Sequence, residues 1–265
     1  MLFKNQPVSK LGLMVTNLSP LTFIYAKLYC STALQIGMRY LPTGCVCLDR
    51  GFGGLQRGGV SLLYGEPATG KTTLALQAAS SAAKKGLSTL FIDADNSFYP
   101  ERLAHLAGDN SEVSQLVFVS KPASFFSLTH LLANLGSYIS SGVALIVVDT
   151  MTSLYRKAMD GHRNIFSLNR ELNLQIAYLT ETARLFSLVV LITSQVRSIP
   201  QRIDTGLRIE PVANRVLKFW PQQIFRISSL PERGLKELYV EKAEETHLAN
   251  AIFTLRLGKK GFTKR

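Results

Sequence analysis

Four short apolar runs organise the middle of the chain. Residues 60–64 (Val-Ser-Leu-Leu-Tyr), 90–95 (Leu-Phe-Ile-Asp-Ala-Asp), 144–149 (Ala-Leu-Ile-Val-Val-Asp) and 188–193 (Leu-Val-Val-Leu-Ile-Thr) are nearly continuous in hydrophobicity rather than alternating. An alternating strand has one wet face, whereas a continuous run is buried on both. Each run stops at a glycine or a polar group: Gly65, Asp93 and Asp95, Asp149, and Ser194-Gln195. Residues 73–79 are rich in strong helix formers. Leu168, Leu172, Leu174, Ile176, Leu179, Ala183 and Phe186 recur at helical spacing, which predicts a helix packed on the sheet. Strands alternating with helices predict an α/β domain of three layers, with a mostly parallel central sheet, helices on both faces and a small β-rich C-terminal extension. Ligands of such sheets bind at the carboxyl ends of the strands, where these polar residues stand.

Composition narrows the class. Of 265 residues, 46% are hydrophobic and 18% charged, which excludes a disordered chain and a coiled coil. Lys and Arg number 30 against 18 Asp and Glu, a net charge of +12 that points to a polyanion partner. Only Cys30, Cys45 and Cys47 occur, too few for a disulfide scaffold and without zinc-site spacing, so a reduced, cytoplasmic protein is expected. Residues 1–39 read as a leader set apart from a domain over 40–265. No acid precedes Asp49, and Lys4, Lys10, Lys27 and Arg39 supply four of the twelve net charges. Asn17, Pro20, Lys27 and Gln35 break the apolar stretch 11–36, so no membrane span is expected, and Met38 is the candidate true start.

The strongest chemical signal follows the first run. Gly65-Glu66-Pro67-Ala68-Thr69-Gly70-Lys71-Thr72 fits the phosphate-binding pattern G-x-x-x-x-G-K-[ST] between a strand and a helix that opens with Thr73. Glycines let backbone N–H groups turn inward around phosphate oxygens, and the helix N-terminus adds about half a positive charge. Lys71 is expected to reach the β- and γ-phosphates of ATP, and the Thr72 hydroxyl to ligate Mg2+. The strand ending in Asp149 has the form that holds the magnesium shell. One of Asp93 and Asp95 could orient an attacking water; alternatively both simply cap the next turn. Gln195 could sense a γ-phosphate through its amide or simply finish a strand.

In order, these elements resemble the RecA/RadA recombinase superfamily, most closely its short archaeal RadB-type paralogues. Leu41-Pro42-Thr43-Gly44 with Leu48-Asp49, Gly53-Gly54-Leu55 and Gly58-Gly59-Val60 is similar to the segment ahead of that family's phosphate loop. Phe91-Ile92-Asp93-Ala94-Asp95 with Phe98-Tyr99-Pro100-Glu101-Arg102-Leu103 resembles its D-T-E…F-x-P-E-R-L stretch, and Thr193-Ser194-Gln195-Val196 its T-N-Q-V. Pro211-Val212-Ala213, Arg226-Ile227 and Leu257-Gly258-Lys259-Lys260-Gly261-Phe262 resemble its C-terminal half. The resemblance covers residues 40–263 and implies a RecA-like P-loop ATPase core. It implies that Arg102 stacks on adenine, that Gln195 couples γ-phosphate state to the DNA loops, and that Asp95 stands where the family has a water-orienting Glu.

Basic clusters then gain a place. Residues 153–163, with Arg156, Lys157 and Arg163, correspond to the family's first DNA-binding loop and read as a surface loop. Residues 197–215, with Arg197, Arg202 and Arg208, correspond to the second. Such loops grip single-stranded DNA without reading sequence. The implied protein is an ATP- and single-stranded-DNA-binding accessory of homologous recombination and repair, acting on a full-length recombinase or a junction nuclease, with self-association and no membrane. The alternatives are an active DNA-dependent ATPase that exchanges strands, and a KaiC-like signalling ATPase without DNA. Replacing Glu by Asp withdraws the carboxylate by about 1.5 Å, and a 1 Å misplacement costs on the order of a hundredfold in rate, so hydrolysis is expected to be weak. Asp95→Glu should therefore raise ATP turnover in a steady-state assay; an unchanged or lower rate contradicts this reading of Asp95.

Overall fold

The apolar runs form strands covered on both faces, as their lack of alternation requires. The structure is a computed structural model and describes residues 39–108, 110, 112–139, 142–161, 164–200, 207–245 and 248–264, with backbone alone at 161, 197–200 and 207–209. The leader expected over 1–39 lies, but for Arg39, outside the described residues. The chain from Met38 to Arg265 makes one compact unit. Its elements in order are β1 (Tyr40–Leu41), α1 (Val46–Phe52), β2 (Leu55–Gln56), β3 (Gly59–Gly65), α2 (Lys71–Ala83), β4 (Ser88–Asp93), α3 (Pro100–Ala107), α4 (Glu112–Gln115), β5 (Val117–Ser120), α5 (Phe125–Ala133) and α6 (Leu135–Tyr138). There follow β6 (Val143–Asp149), α7 (Ser153–Gly161), α8 (Ile165–Phe186), β7 (Val189–Ser194), β8 (Val196–Pro200), β9 (Leu207–Pro211), α9 (Asn214–Phe219), β10 (Gln223–Ser229), β11 (Leu235–Lys242), β12 (Ile252–Gly258) and β13 (Gly261–Lys264).

Nine strands form one sheet in the order β13-β12-β11-β10-β3-β7-β6-β4-β5. From β10 to β5 every pairing is parallel, and β11, β12 and β13 add antiparallel strands at one edge. The expected C-terminal extension is thus a continuation of the central sheet. All seven residues of β3 and of β6 are buried. Their side chains alternate between two cores. Leu63, Leu145 and Val147 pack with α1, α2 and α3, whereas Leu62, Ile146 and Val148 pack with α5 and α8. Because β3 is followed by β4 three strands away, the carboxyl ends of β3, β7, β6 and β4 open side by side where the chain order reverses, the place such sheets use for ligands.

Helix α8 shows how the stripe is read and where it misleads. Leu168, Leu172, Ile176, Leu179 and Ala183 are buried, each large apolar side chain stabilising by roughly 1.5–3 kcal/mol. Leu174, counted in the stripe from sequence, is exposed. Two residues from either Leu172 or Ile176, it lies about 200° round the helix and faces away. The Asn164 side chain caps the start by accepting the Ser167 N–H at 3.2 Å.

Residues 153–161 are helix α7 and not the expected surface loop. Leu154 and Tyr155 are buried and Ala158 and Met159 pack behind them, a spacing that makes one apolar helical face and leaves Arg156 and Lys157 exposed. Part of the second stretch is an antiparallel pair, β8 with β9, in which Arg197 opposes Glu210 and Ile199 opposes Arg208. Among the described residues no helix is long and apolar enough to cross a membrane.

The antiparallel edge is tied to α2 by one side chain. Gln77 donates from Nε2 to the Gly44 carbonyl at 2.8 Å and the Phe262 carbonyl at 3.0 Å, and its Oε1 accepts the Phe262 N–H at 2.7 Å. Leaving buried backbone groups unpaired costs about 1–3 kcal/mol each. Gln77→Ala should therefore lower the unfolding free energy by about 2–4 kcal/mol in urea titrations; a change below about 0.5 kcal/mol, the level of an indifferent surface substitution, would show that this tie is dispensable.

Candidate nucleotide site

The phosphate loop is shaped by what surrounds it. Gly65 ends β3 against β10, and a Cβ there would lie 2.1 Å from the Ile227 carbonyl oxygen, so no side chain fits. Gly70 sits in the left-handed region at φ 101°, and a Cβ would come within 2.6 Å of the Phe262 ring. Thr69 closes the turn by donating to the Glu66 carbonyl at 2.8 Å. Glu66, Pro67 and Ala68 form the exposed crown. Lys236 of β11 donates to the Ala68 carbonyl at 3.3 Å and to Ser229 Oγ at 2.7 Å, steadying the crown from outside.

Lys71 opens α2 with its ammonium inside the loop, only 7% exposed, donating to the Gly65 carbonyl at 2.9 Å and the Glu66 carbonyl at 2.8 Å. Burial holds its pKa below the ordinary lysine range, while Asp149, Asp95 and Glu66 push it back up. Thr72 donates to Asp149 Oδ2 at 2.7 Å. Asp149 is fully buried, so its carboxylate depends on donors. Besides Thr72 it receives the Ser97 hydroxyl on Oδ2 at 2.9 Å and the Thr193 hydroxyl on Oδ1. A glycine cradle, a helix N-terminus, a buried ammonium and a hard oxygen donor set suit a nucleoside triphosphate with Mg2+. Arg102, on α3, donates to the Thr73 hydroxyl, which brings its guanidinium over the first turn of α2.

The two carboxylates after β4 separate. Asp93 accepts the Ser97 and Phe98 N–H groups at 2.9 and 3.2 Å and pairs with Lys121 at 3.4 Å, so it caps the turn. Asp95 instead faces the site. Burial raises its pKa, Asp149 and Asp93 raise it further, and Lys157 and Ser153 oppose the rise. Gln195 joins it to α7: the amide donates to Asp95 Oδ2 at 3.4 Å and accepts Arg156 Nη1 at 2.6 Å. The Gln195 N–H donates to Thr152 Oγ1 at 3.3 Å, and its carbonyl accepts the Val212 N–H, just past β9, at 3.2 Å.

Lys71, Thr72, Asp149, Asp95, Gln195, Arg156 and Lys157 thus converge. Arg163 and Arg202 lie outside the described residues, and Arg197 and Arg208 are placed by backbone on β8 and β9. Thr193 stands in a quoted motif but has no role assigned from sequence, and Ser97, Gln77 and Lys236 stand in none. Only Thr193 had a signal, as the hydroxyl ending the fourth apolar run.

A family model described as Rad51 matches residues 37–220. The DNA repair and recombination protein RadB of Thermococcus kodakarensis is 32% identical over 208 residues, covering 76% of this chain and 89% of its own. The protein of that name from Methanococcus maripaludis is 29% identical over 192 residues, covering 72% of this chain and 85% of its own. A solved structure described as the RadB recombinase matches with a TM-score of 0.70 at 27% identity, covering 85% of this chain and 99% of that one. With its strand order, its phosphate loop and these matches, the chain belongs to the Rad51 family of RecA-like proteins, with archaeal RadB among its relatives.

Proposed function

We propose that this protein binds ATP with Mg2+ and single-stranded DNA, hydrolyses ATP slowly, and serves homologous recombination and repair in the cytoplasm as an accessory to a full-length recombinase or a junction nuclease. The observation that carries the reading is the continuous path from Lys71 and Asp149 through Asp95 and Gln195 to the exposed Arg156. Lys71 and the α2 N-terminus would take the β- and γ-phosphates, cradled by Gly65 to Thr73, and Arg102 the adenine. Thr72 and Asp149 would hold Mg2+, which when bound neutralises phosphate charge. Asp95 would orient water and accept its proton. It is held by Gln195 but set back by one methylene from the reach of a Glu, which is why turnover is slow.

Arg156 and Lys157 would grip the phosphate backbone together with Arg197 on β8 and Arg208 on β9, and Arg163 and Arg202, outside the described residues, would add to that grip. A change at Asp95 would shift the Gln195 side-chain amide and with it Arg156 on α7, while the Gln195 backbone carbonyl ties the same residue to Val212, just past β9. The nucleotide thereby acts chiefly as a switch. Self-association fits this role, because a backbone-tracking surface gains affinity when copies bind side by side.

The test is ATP hydrolysis by the full chain with and without oligothymidylate, alongside DNA affinity over a range of salt, with Lys71→Ala as blank. Slow, Lys71-dependent turnover that DNA leaves unchanged, with affinity falling steeply as salt rises, is the expected result. Strong DNA-stimulated turnover would assign an active recombinase instead. Salt-insensitive or absent DNA binding would remove both.

A further inference from the structure

Away from the nucleotide site, α1 lies beside the outer strands β12 and β13 and leaves a groove of about 420 Å³, within the size range of sites that seat a ligand. Its floor is fixed by core packing. Gly51 lets α1 approach so closely that a Cβ would lie 2.3 Å from the Phe253 ring. Phe253 meets Phe52 edge-on at 5.7 Å, and Phe52 packs on Phe225 at 5.0 Å. The groove is therefore preformed, and an occupant need not order it.

The walls are aliphatic and open. Val46 is 61% and Ile252 59% exposed, two branched side chains held in one concavity, not scattered singly. The lining is otherwise marked by two cations, Arg50 and Lys264, and includes no acid. Charge selects the occupant. Residues 1–38 contain no acid, so that segment brings no charge partner for Arg50 and Lys264, and two copies of a chain at +12 repel one another overall. A nucleic-acid backbone would meet only two cations here and leave the apolar pair Val46 and Ile252 unfilled, and no base could stack on the Phe253 ring, which is turned against Gly51 and Phe52.

We propose that this groove docks a partner protein through a short acidic segment, one aliphatic or aromatic side chain seating between Val46 and Ile252 while flanking Asp or Glu residues pair with Arg50 and Lys264. The inference stands independently of the nucleotide reading, since none of these residues belongs to the phosphate site. Exposed rim charges set orientation and choice of partner more than affinity, and the buried anchor supplies the affinity.

The test is to pan a random-peptide phage library against the full chain under reducing conditions, then to measure an enriched peptide by fluorescence anisotropy. Enriched sequences are expected to join an apolar anchor to Asp or Glu, and Arg50→Glu with Lys264→Glu to select basic sequences instead. Ile252→Asp should weaken the peptide at least tenfold. Val46→Asp, in the first helical turn where an acid is tolerated, should do the same with an unchanged Tm, separating loss of docking from misfolding. Enrichment without acidic bias, or no enrichment, overturns the proposal. So does binding indifferent to both variants, or a loss of oligothymidylate affinity in them, which would make the groove a nucleic-acid site.

Discussion

The structure turns on one buried carboxylate. Asp149 ends β6 without exposure to water, and its charge is carried by hydroxyls from three separate elements: Thr72 from the start of α2, Ser97 from the turn after β4 and Thr193 from β7. Hydrogen bonds to a charged group are worth about 1.5–3 kcal/mol each, and an unpaired buried charge costs more. The carboxylate thus fixes the phosphate loop, the turn bearing Asp95 and the strand leading to Gln195 relative to one another. Those are the pieces a nucleotide and its metal would have to find in register.

Two further constraints hold the loop. The Phe262 ring fills the space a side chain at Gly70 would need, and Gln77 ties the Phe262 backbone to α2. Lys236 reaches the crown from β11. The antiparallel edge, joined to β3 through β10, is thus a brace for the phosphate loop. Gln195 does the complementary work outward, one amide facing Asp95 and Arg156 together.

Much of this was legible in the chain because it depends on local pattern. Continuous apolar runs marked β3, β4, β6 and β7, and the residue ending each marked the ligand end of the sheet. The glycines, Lys71 and Thr72 follow from spacing alone. What was not legible depends on tertiary placement. The family resemblance already sets Asp95 at the site, but that Asp93 caps a turn depends on the Ser97 and Phe98 N–H groups curling back onto it. Helix α7 reads as a loop when its charges are weighed ahead of the apolar pair Leu154 and Tyr155. Leu174 joins the stripe by apolar type but not by angular position, and so stays exposed. Gln77 and Lys236 carry no motif, and the partners that matter for the brace, Phe262 for Gln77 and Ala68 for Lys236, lie more than a hundred residues away.

The central claim is that nucleotide state and DNA grip are coupled through Gln195. The direct measurement is the affinity of the full chain for oligothymidylate with a slowly hydrolysed ATP analogue and with ADP, in the wild type and in Gln195→Ala. Coupling of this kind is typically worth 1–3 kcal/mol, roughly a 5- to 150-fold difference between the two nucleotides. The account predicts such a difference in the wild type and its collapse towards unity in Gln195→Ala, with DNA still bound. An equal ratio in both proteins would contradict it.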